Sequence, residues 1–273
     1  MAPENIESIE SKIQKVIPLI SEYYDEGSFV NEKPLVKQIS KLLKPNQWLR
    51  IEPTPREYNT TLKYKQPTKG LKPNGIWASK GEWLMSKDKY LTLLEVDYSR
   101  ILVLITKQDY LDFENQYCKY EKLSSIINTY HPKTKKTNKN TKHTRKNNSN
   151  NIKNFKKLSN RARTTSQPLL CHTRINWQKV ANDYDGIAMI PNPTPYFPTD
   201  WNNFITRYNH LWLKTYDVSS LVIWRQNDNT PITKYKFLGK VQDIYNQASK
   251  NKKTFSKTLL ETIVNAQAKL FLI

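Results

Sequence analysis

The chain has 273 residues and a mass of 32.2 kDa, and its 44 lysines and arginines exceed 24 acidic residues to give a net charge of +20. This charge favours nucleic acid or another polyanion as a partner. The chain has no run of about 18 apolar residues, and its polar N-terminus lacks an apolar signal core. We therefore expect an intracellular protein, cytoplasmic or nuclear, that does not enter a membrane.

Glycine, cysteine and histidine usage excludes several common chemistries. The 6 glycines form neither kind of phosphate-binding loop: no two have the GxG spacing of a dinucleotide-binding loop, and Gly70 and Gly75 are followed by Ile76 rather than by the lysine of a P-loop. Two cysteines and 4 histidines do not give the ligand spacing of a zinc site, so we expect no metal. Cys118 and Cys171 are each open to two interpretations, a structural thiol or a nucleophile.

The first third of the chain contains signals for helices and then for strands. Apolar spacing predicts helices over 5–24, bent at Pro18, and over 33–44, ended by Pro45. Alternating apolar residues then predict strands at 47–53, at 75–79 and twice within 90–106, around a turn. Thr106 and Asp109 have the spacing of a capping box and predict a helix to about residue 118.

Residues 131–167 form a basic tract with twelve lysines and arginines, and no acidic residue occurs between Glu121 and Asp183. The tract has almost no apolar side chains to offset the entropy of ordering, so we predict a disordered insertion. It could bind nucleic acid as a tether or act as a nuclear localisation signal, whereas a loop shaped only by A+T-rich codons would have no function. The candidate nucleic-acid contacts are Lys135, Lys136, Lys139, Lys142, Arg145, Lys146, Lys156, Lys157, Arg161 and Arg163.

Ordered elements are predicted again after the tract. Asn176 can cap a short helix, and a turn at Asp185–Gly186 precedes a strand over 187–190. The remaining predicted elements are a helix around 200–208, a strand within 215–224 and helices at about 240–249 and 256–270.

Four segments in this order resemble uncharacterised ADP-ribosyltransferase-like proteins of large DNA viruses, phages and bacteria: KPNGIWASKGEW, LLEVDYSRILVLITKQDYLDF, INWQKVANDYDGIAMIP and TYDVSSLVIW. The resemblance covers about residues 70–225 without the insertion. It implies a split pair of small antiparallel sheets with NAD bound between them. It also implies a protein or nucleic-acid acceptor for ADP-ribose, and a setting in a host cell or virion.

The resemblance assigns roles to residues in its first half. Arg50 is the candidate for the arginine that steadies the NAD diphosphate, and a solvated strand arginine is the alternative. Ser79 corresponds to the serine at a strand end that shapes the pocket. Gly75 and Trp77 are candidates for cofactor contact, with a packing role in the core as the alternative for Trp77.

The acidic residue is less well matched. Ala188 stands where the resemblance implies a glutamate, so Asp185 becomes the candidate catalytic acid, although an Asp–Gly pair also suits a simple turn. Glu82 is the second candidate acid, with a surface charge as the alternative. A degenerate domain without transferase activity is consistent with the substitution.

These elements predict an α+β protein with a helical N-terminal portion, a split two-sheet domain interrupted by the insertion, and C-terminal helices. The predicted divisions are 1–45, 46–130, 131–167, 168–230 and 231–273. Three functions remain open, because fold alone does not determine function. They are an NAD-dependent ADP-ribosyltransferase, a non-enzymatic basic nucleic-acid-binding protein, and a viral accessory protein.

Overall fold

The computed structural model describes residues 8–20, 33–58, 60–82, 89–122, 170–191, 218–227 and 230–270, together with residues 210, 212, 213 and 216. Its helices are α1 Ile9–Ile20, α2 Lys33–Leu42, α3 Lys107–Tyr117, α4 Trp177–Asp183, α5 Val241–Lys250 and α6 Phe255–Leu270. Its strands are β1 Gln47–Glu52, β2 Leu62–Lys63, β3 Ile76–Ser79, β4 Tyr90–Val96, β5 Ile101–Leu104, β6 Cys118–Lys122, β7 Leu170–Ile175, β8 Gly186–Met189, β9 Ser220–Ile223, β10 Arg225–Gln226 and β11 Ile232–Lys240.

The α+β class is confirmed, since helices pack against a large mixed sheet. This sheet has seven strands in the order β11-β4-β1-β3-β9-β8-β5, and two further sheets pair β10 with β2 and β6 with β7. In the large sheet only β5 and β8 run parallel. The helix predicted around 200–208 and the basic tract 131–167 lie outside the described residues.

The seven-stranded sheet differs from the predicted pair of small antiparallel sheets. Its two halves meet where β1 pairs with β3, and the register there contains one pair, Leu49 with Ser79. Next to this pair, the Arg50 side chain also joins β1 to β3, because its Nη1 donates a hydrogen bond to the Trp77 carbonyl at 3.0 Å. These seven strands therefore form one sheet with a narrow junction between β1 and β3, rather than two separate sheets.

Three groups of helices cover the sheet. One face packs Trp48, Ala78 and Leu221 against the isoleucines of α1. On the other face, α2, α5 and α6 cover the half that contains β1 and β4. The other half of that face, with β5, β8 and β9, packs against the aromatic residues of α3 and α4. This arrangement buries both faces of the central strands and fixes which side chains share a face.

Strand β11, which the sequence did not predict, precedes the two C-terminal helices expected within 231–273. It is the longest of the described strands and pairs with β4 at the edge of the sheet. Tyr235 and Phe237 alternate with Lys234 and Lys236, and all four are half-buried. This spacing is typical of an edge strand, whose side chains stay accessible because it has one neighbour.

Candidate functional site

Arg50 lies at the sheet junction and is held by protein groups rather than by solvent. Its side chain is 13 % exposed, and its Nε contacts Glu52 Oε2 at 3.1 Å. Tyr58 donates its hydroxyl proton to the other oxygen of the buried Glu52. Burial raises the pKa of Tyr58, so the phenol stays protonated as a donor. The guanidinium therefore neutralises Glu52 and links β1 to β3.

Arg50 and Ser79 leave the sheet on opposite faces. Ser79 is paired with Leu49, and directly paired residues project from the same face, whereas successive residues of a strand alternate. Leu49 packs on the α2, α5 and α6 side, so Arg50 projects toward the α1 side. Ser79 is 1 % exposed, and its Oγ accepts a hydrogen bond from the Gly81 amide at 3.3 Å. The two side chains do not line one cleft.

The two predicted cofactor contacts pack inside the fold. Trp77 is half-buried, and its ring lies 5.7 Å from that of Tyr216. A Cβ atom on Gly75 would lie 2.5 Å from the Ile223 carbonyl oxygen, so glycine permits close approach to β9. These contacts match the core interpretation of Trp77. In the described structure Arg50, Ser79, Gly75 and Trp77 do not together provide a fit for NAD.

Asp185 is held between two arginines at the start of β8. Its Oδ2 contacts Arg100 Nε and its Oδ1 contacts Arg225 Nη1, each at 2.8 Å, and its side chain is 4 % exposed. It lies next to the Ile223 end of β9, whereas Ser79 pairs with Ser220 at the opposite end. At about 3.4 Å per residue, these two ends are about 10 Å apart. The structure therefore does not bring Asp185 to Ser79.

Ala188 lies in the core rather than beside an open cleft. It is fully buried and belongs to the cluster that packs against α1. Its parallel neighbour in the register is Val103 of β5. A glutamate at this position would have to be buried among apolar side chains, so the missing acid is consistent with the local packing.

Glu82 is buried, which excludes the surface-charge interpretation. It is 3 % exposed, and its Oε1 accepts a hydrogen bond from the Ser219 amide at 3.1 Å. Within the described part of the chain, its Oε2 has no hydrogen-bond partner. Burial raises the pKa of Glu82 to about 7. Its sequence position, between Gly81 and Trp83, gave no signal of burial.

Lys80 is also buried and anchors the connection between α2 and β1. Its Nζ donates to the carbonyls of Gln47 at 2.6 Å and Pro45 at 2.7 Å, and lies 4.3 Å from the centre of the Trp48 ring. Burial lowers the pKa of Lys80 to about 7, while the charge of Glu82 opposes that shift. Carbonyl acceptors around Nζ favour the ammonium form, which offers three donors.

A further buried carboxylate, Glu114 of α3, was not identified from the sequence. Its Oε1 accepts a hydrogen bond from Trp212 Nε1 at 2.7 Å, and its Oε2 lies 2.6 Å from His210 Nδ1. The backbone of His210 has a φ of +54°, which is uncommon outside glycine. Since 96 residues separate His210 from Glu114, no local spacing could reveal this contact. It ties the 210–213 segment to α3.

Of the two cysteines, the structure describes the side chain of Cys118 alone. Cys118 is half-buried, and its thiol contacts the Arg174 carbonyl at 3.4 Å, while the Cys171 side chain lies outside the described residues. Among the described residues, no group of three or more histidine, cysteine, aspartate or glutamate side chains could hold a metal ion. None of the described helices is long and apolar enough to cross a membrane.

The predicted nucleic-acid contacts, from Lys135 to Arg163, lie outside the described residues, but the strands on either side of the tract are described. They pair as β6 and β7, with Cys118 opposite Ile175 at the base and Lys122 opposite Leu170 at the far end. Ile175 also exchanges two backbone hydrogen bonds with Gly70, at 3.0 and 3.1 Å. The insertion therefore leaves the fold from a two-stranded sheet whose base contacts the 60–74 segment.

Comparison with known proteins identifies no relative: no protein family, curated protein or solved structure matches the chain. The resemblance to ADP-ribosyltransferase-like proteins thus stays a prediction from the four sequence segments.

Proposed function

We propose that this protein binds nucleic acid through the phosphate backbone, with little preference for base sequence. The observation that carries the proposal is the acid-free tract of twelve lysines and arginines inserted between β6 and β7. This tract supplies more than half of the net charge of +20. The rest of the chain is only mildly basic, so the charge is concentrated in one segment.

Counterion release gives such a segment its affinity. Each phosphate neutralised on duplex DNA lowers the slope of log affinity against log salt by about 0.9, so twelve contacts set a limit near −11. Phe155 is the only phenylalanine, tyrosine or tryptophan within 131–167, so stacking on bases contributes little. Binding is therefore expected to be strongly salt-dependent and tolerant of sequence.

The test is a salt titration with the full-length chain and a fluorescent 20-base-pair DNA duplex, read by anisotropy. In one variant, the twelve basic residues of the tract are changed to glutamine. In the matched control, the lysines of the tract are changed to arginine, which keeps the charge. We expect the glutamine variant to lose most of its affinity and its salt slope, and the control to retain both. An affinity that does not change with salt, or equal binding by the two variants, would refute the proposal.

ADP-ribosyl transfer from NAD to a macromolecular acceptor is the second candidate function. The observation in its favour is the narrow junction between the two halves of the sheet at Leu49 and Ser79. Its weakness is that Arg50, Ser79 and Asp185 do not share a cleft. Incubation of the intact chain with labelled NAD tests it, because a transferase releases nicotinamide or labels an acceptor. No NAD binding and no turnover would exclude this activity.

A further inference from the structure

Asp185 organises two arginines into a cluster with a net positive charge. Its one carboxylate is shared by Arg100 and Arg225, whose side chains are 49 % and 26 % exposed. Arg225 Nη2 also donates to the Ala181 carbonyl at 2.9 Å, which fixes that guanidinium on α4. Arg100 donates hydrogen bonds from Nε to the Asp185 carboxylate and from Nη2 to the Asp183 carbonyl. Its Nη1 has no hydrogen-bond partner among the described residues. The two guanidiniums therefore carry one more charge than the Asp185 carboxylate, and the nearby Asp183 carboxylate accepts a hydrogen bond from the Tyr117 hydroxyl at 2.8 Å.

Two exposed lysines extend this cluster along the surface. The β2–β10 register places Arg225 opposite Lys63, so the two side chains project from the same face. Lys63 and Lys65 are exposed on either side of the half-buried Tyr64, whose amide donates to the Trp224 carbonyl at 2.8 Å. This alternation is that of an extended chain, which places the two ammonium groups on one side.

The segment that carries Lys63 and Lys65 contains little negative charge. No aspartate or glutamate occurs between Glu57 and Glu82, and Glu82 is buried. Glu57 is exposed, but the adjacent Arg56 is exposed as well and donates to the Tyr64 hydroxyl at 2.7 Å. The segment is thus a cationic strip.

The strip also adjoins the base of the insertion. Its Gly70 is bonded to Ile175, the last residue of β7, and its Pro67 carbonyl accepts from the Gln178 amide of α4 at 3.2 Å. The strands that lead to the insertion are therefore joined by backbone hydrogen bonds to the segment that carries Lys63 and Lys65.

We propose that Arg100, Arg225, Lys63 and Lys65 form a fixed docking surface for the phosphate backbone of a nucleic-acid duplex that the insertion captures. This inference rests on the proposed function and adds an ordered contact to it. The planar guanidiniums suit phosphate oxygens, and Asp185 holds them in place before the ligand arrives.

The experiment uses the full-length chain and the same DNA duplex. A double variant, K63Q/K65Q, removes two exposed charges, and K250Q/K257Q removes two exposed lysines of α5 and α6 as the matched control. At about 0.9 per contact, we expect K63Q/K65Q to reduce the steepness of the salt slope by about 1.8 and to weaken binding about 30-fold at 0.15 M salt. The control should bind like the unmodified chain. R100Q keeps the Asp185–Arg225 pair and should reduce the steepness by about 0.9.

Three outcomes separate this inference from the proposed function. If the unmodified chain does not bind DNA, the proposed function fails and the docking surface fails with it. If the unmodified chain binds but K63Q/K65Q and its control have equal slopes and affinities, only the docking surface is refuted. Loss of affinity in K63Q/K65Q with an unchanged melting temperature supports the surface, because both lysines are exposed and their removal leaves the core intact.

Discussion

Replacing Glu82 by glutamine should change how the stability of this protein depends on pH. Glu82 is buried with one oxygen on the Ser219 amide, and its pKa is raised from 4.5 to about 7, chiefly by burial. The folded state therefore keeps a proton that the unfolded chain has already released between these pH values. A pKa difference of about 2.5 corresponds to about 3 kcal/mol of stability that is present at low pH and has been lost by pH 7.

The sign follows from proton binding. Because the folded pKa is the higher one, this stabilisation is fully present below about pH 4.5 and is lost as the pH rises toward 7. Glutamine cannot ionise, and its carbonyl can accept from Ser219 as Oε1 does. We therefore expect E82Q to match the unmodified protein near pH 4.5 and to exceed it by about 3 kcal/mol at pH 7.

The assay is urea unfolding of both proteins at pH 4.5, 5.5, 6.5 and 7, from which the difference in unfolding free energy is plotted against pH. Measurements stop at pH 7 because burial lowers the pKa of Lys80 to about 7, so this second group is already losing its proton at that pH. E261Q is the control, since the Glu261 side chain is 44 % exposed and its pairing with Lys253 is screened by solvent. A difference between E82Q and the unmodified protein that stays constant with pH would refute the reasoning.

Two further substitutions test the packing around β8. D185N should cost about 3 kcal/mol in urea unfolding, because it leaves the Arg100 and Arg225 guanidiniums without their carboxylate; a cost below about 1 kcal/mol would show that the cluster is not structural. G186A should lower stability by about 1–3 kcal/mol, because its Cβ would lie 2.5 Å from Ile101 Cδ1 and 2.6 Å from a carbonyl oxygen of β9; an unchanged melting temperature would show that the strands separate at no cost.

The elements that the sequence predicted well are those specified by local signals. Thr106 and Asp109 form the expected capping box, with the Asp109 amide 3.2 Å from Thr106 Oγ1. Asn176 caps the short helix α4 as predicted. Each cap needs only side chains three residues apart to reach a backbone amide, so the chain itself encodes the geometry.

Strand pairing was less predictable, because it depends on residues far apart in the chain. The turn at 97–100 joins two predicted strands, yet β4 lies between β11 and β1, whereas β5 lies at the far edge beside β8. The backbone explains this separation, since the Asp97 amide donates to the Pro231 carbonyl at 2.8 Å. No spacing within residues 90–106 reports a partner more than a hundred residues away.

The candidate acids of the site also depend on contacts between distant residues, which local sequence patterns do not reveal. The Asp185–Gly186 pair signalled a turn, and nothing near it indicated Arg100 or Arg225, which approach from β5 and β10. Glu82 was interpreted from the sequence as a surface charge, whereas in the structure it is buried and accepts a hydrogen bond from the Ser219 amide, 137 residues away. The sequence gives the number of charged residues, but it does not show which of them pair in the folded structure.

Most of the net positive charge belongs to the insertion rather than to the strands that form the core. The twelve-cation tract leaves from β6 and β7, which form a sheet of their own and touch the 60–74 segment through Gly70 and Ile175. The core clusters lie on the faces of the seven-stranded sheet, and its buried acids Glu52 and Asp185 are already paired with arginines. Positive charge can therefore accumulate in the insertion without unbalancing the core. Under the proposed function, substitutions in the tract would therefore change the affinity for nucleic acid and leave the described fold unchanged.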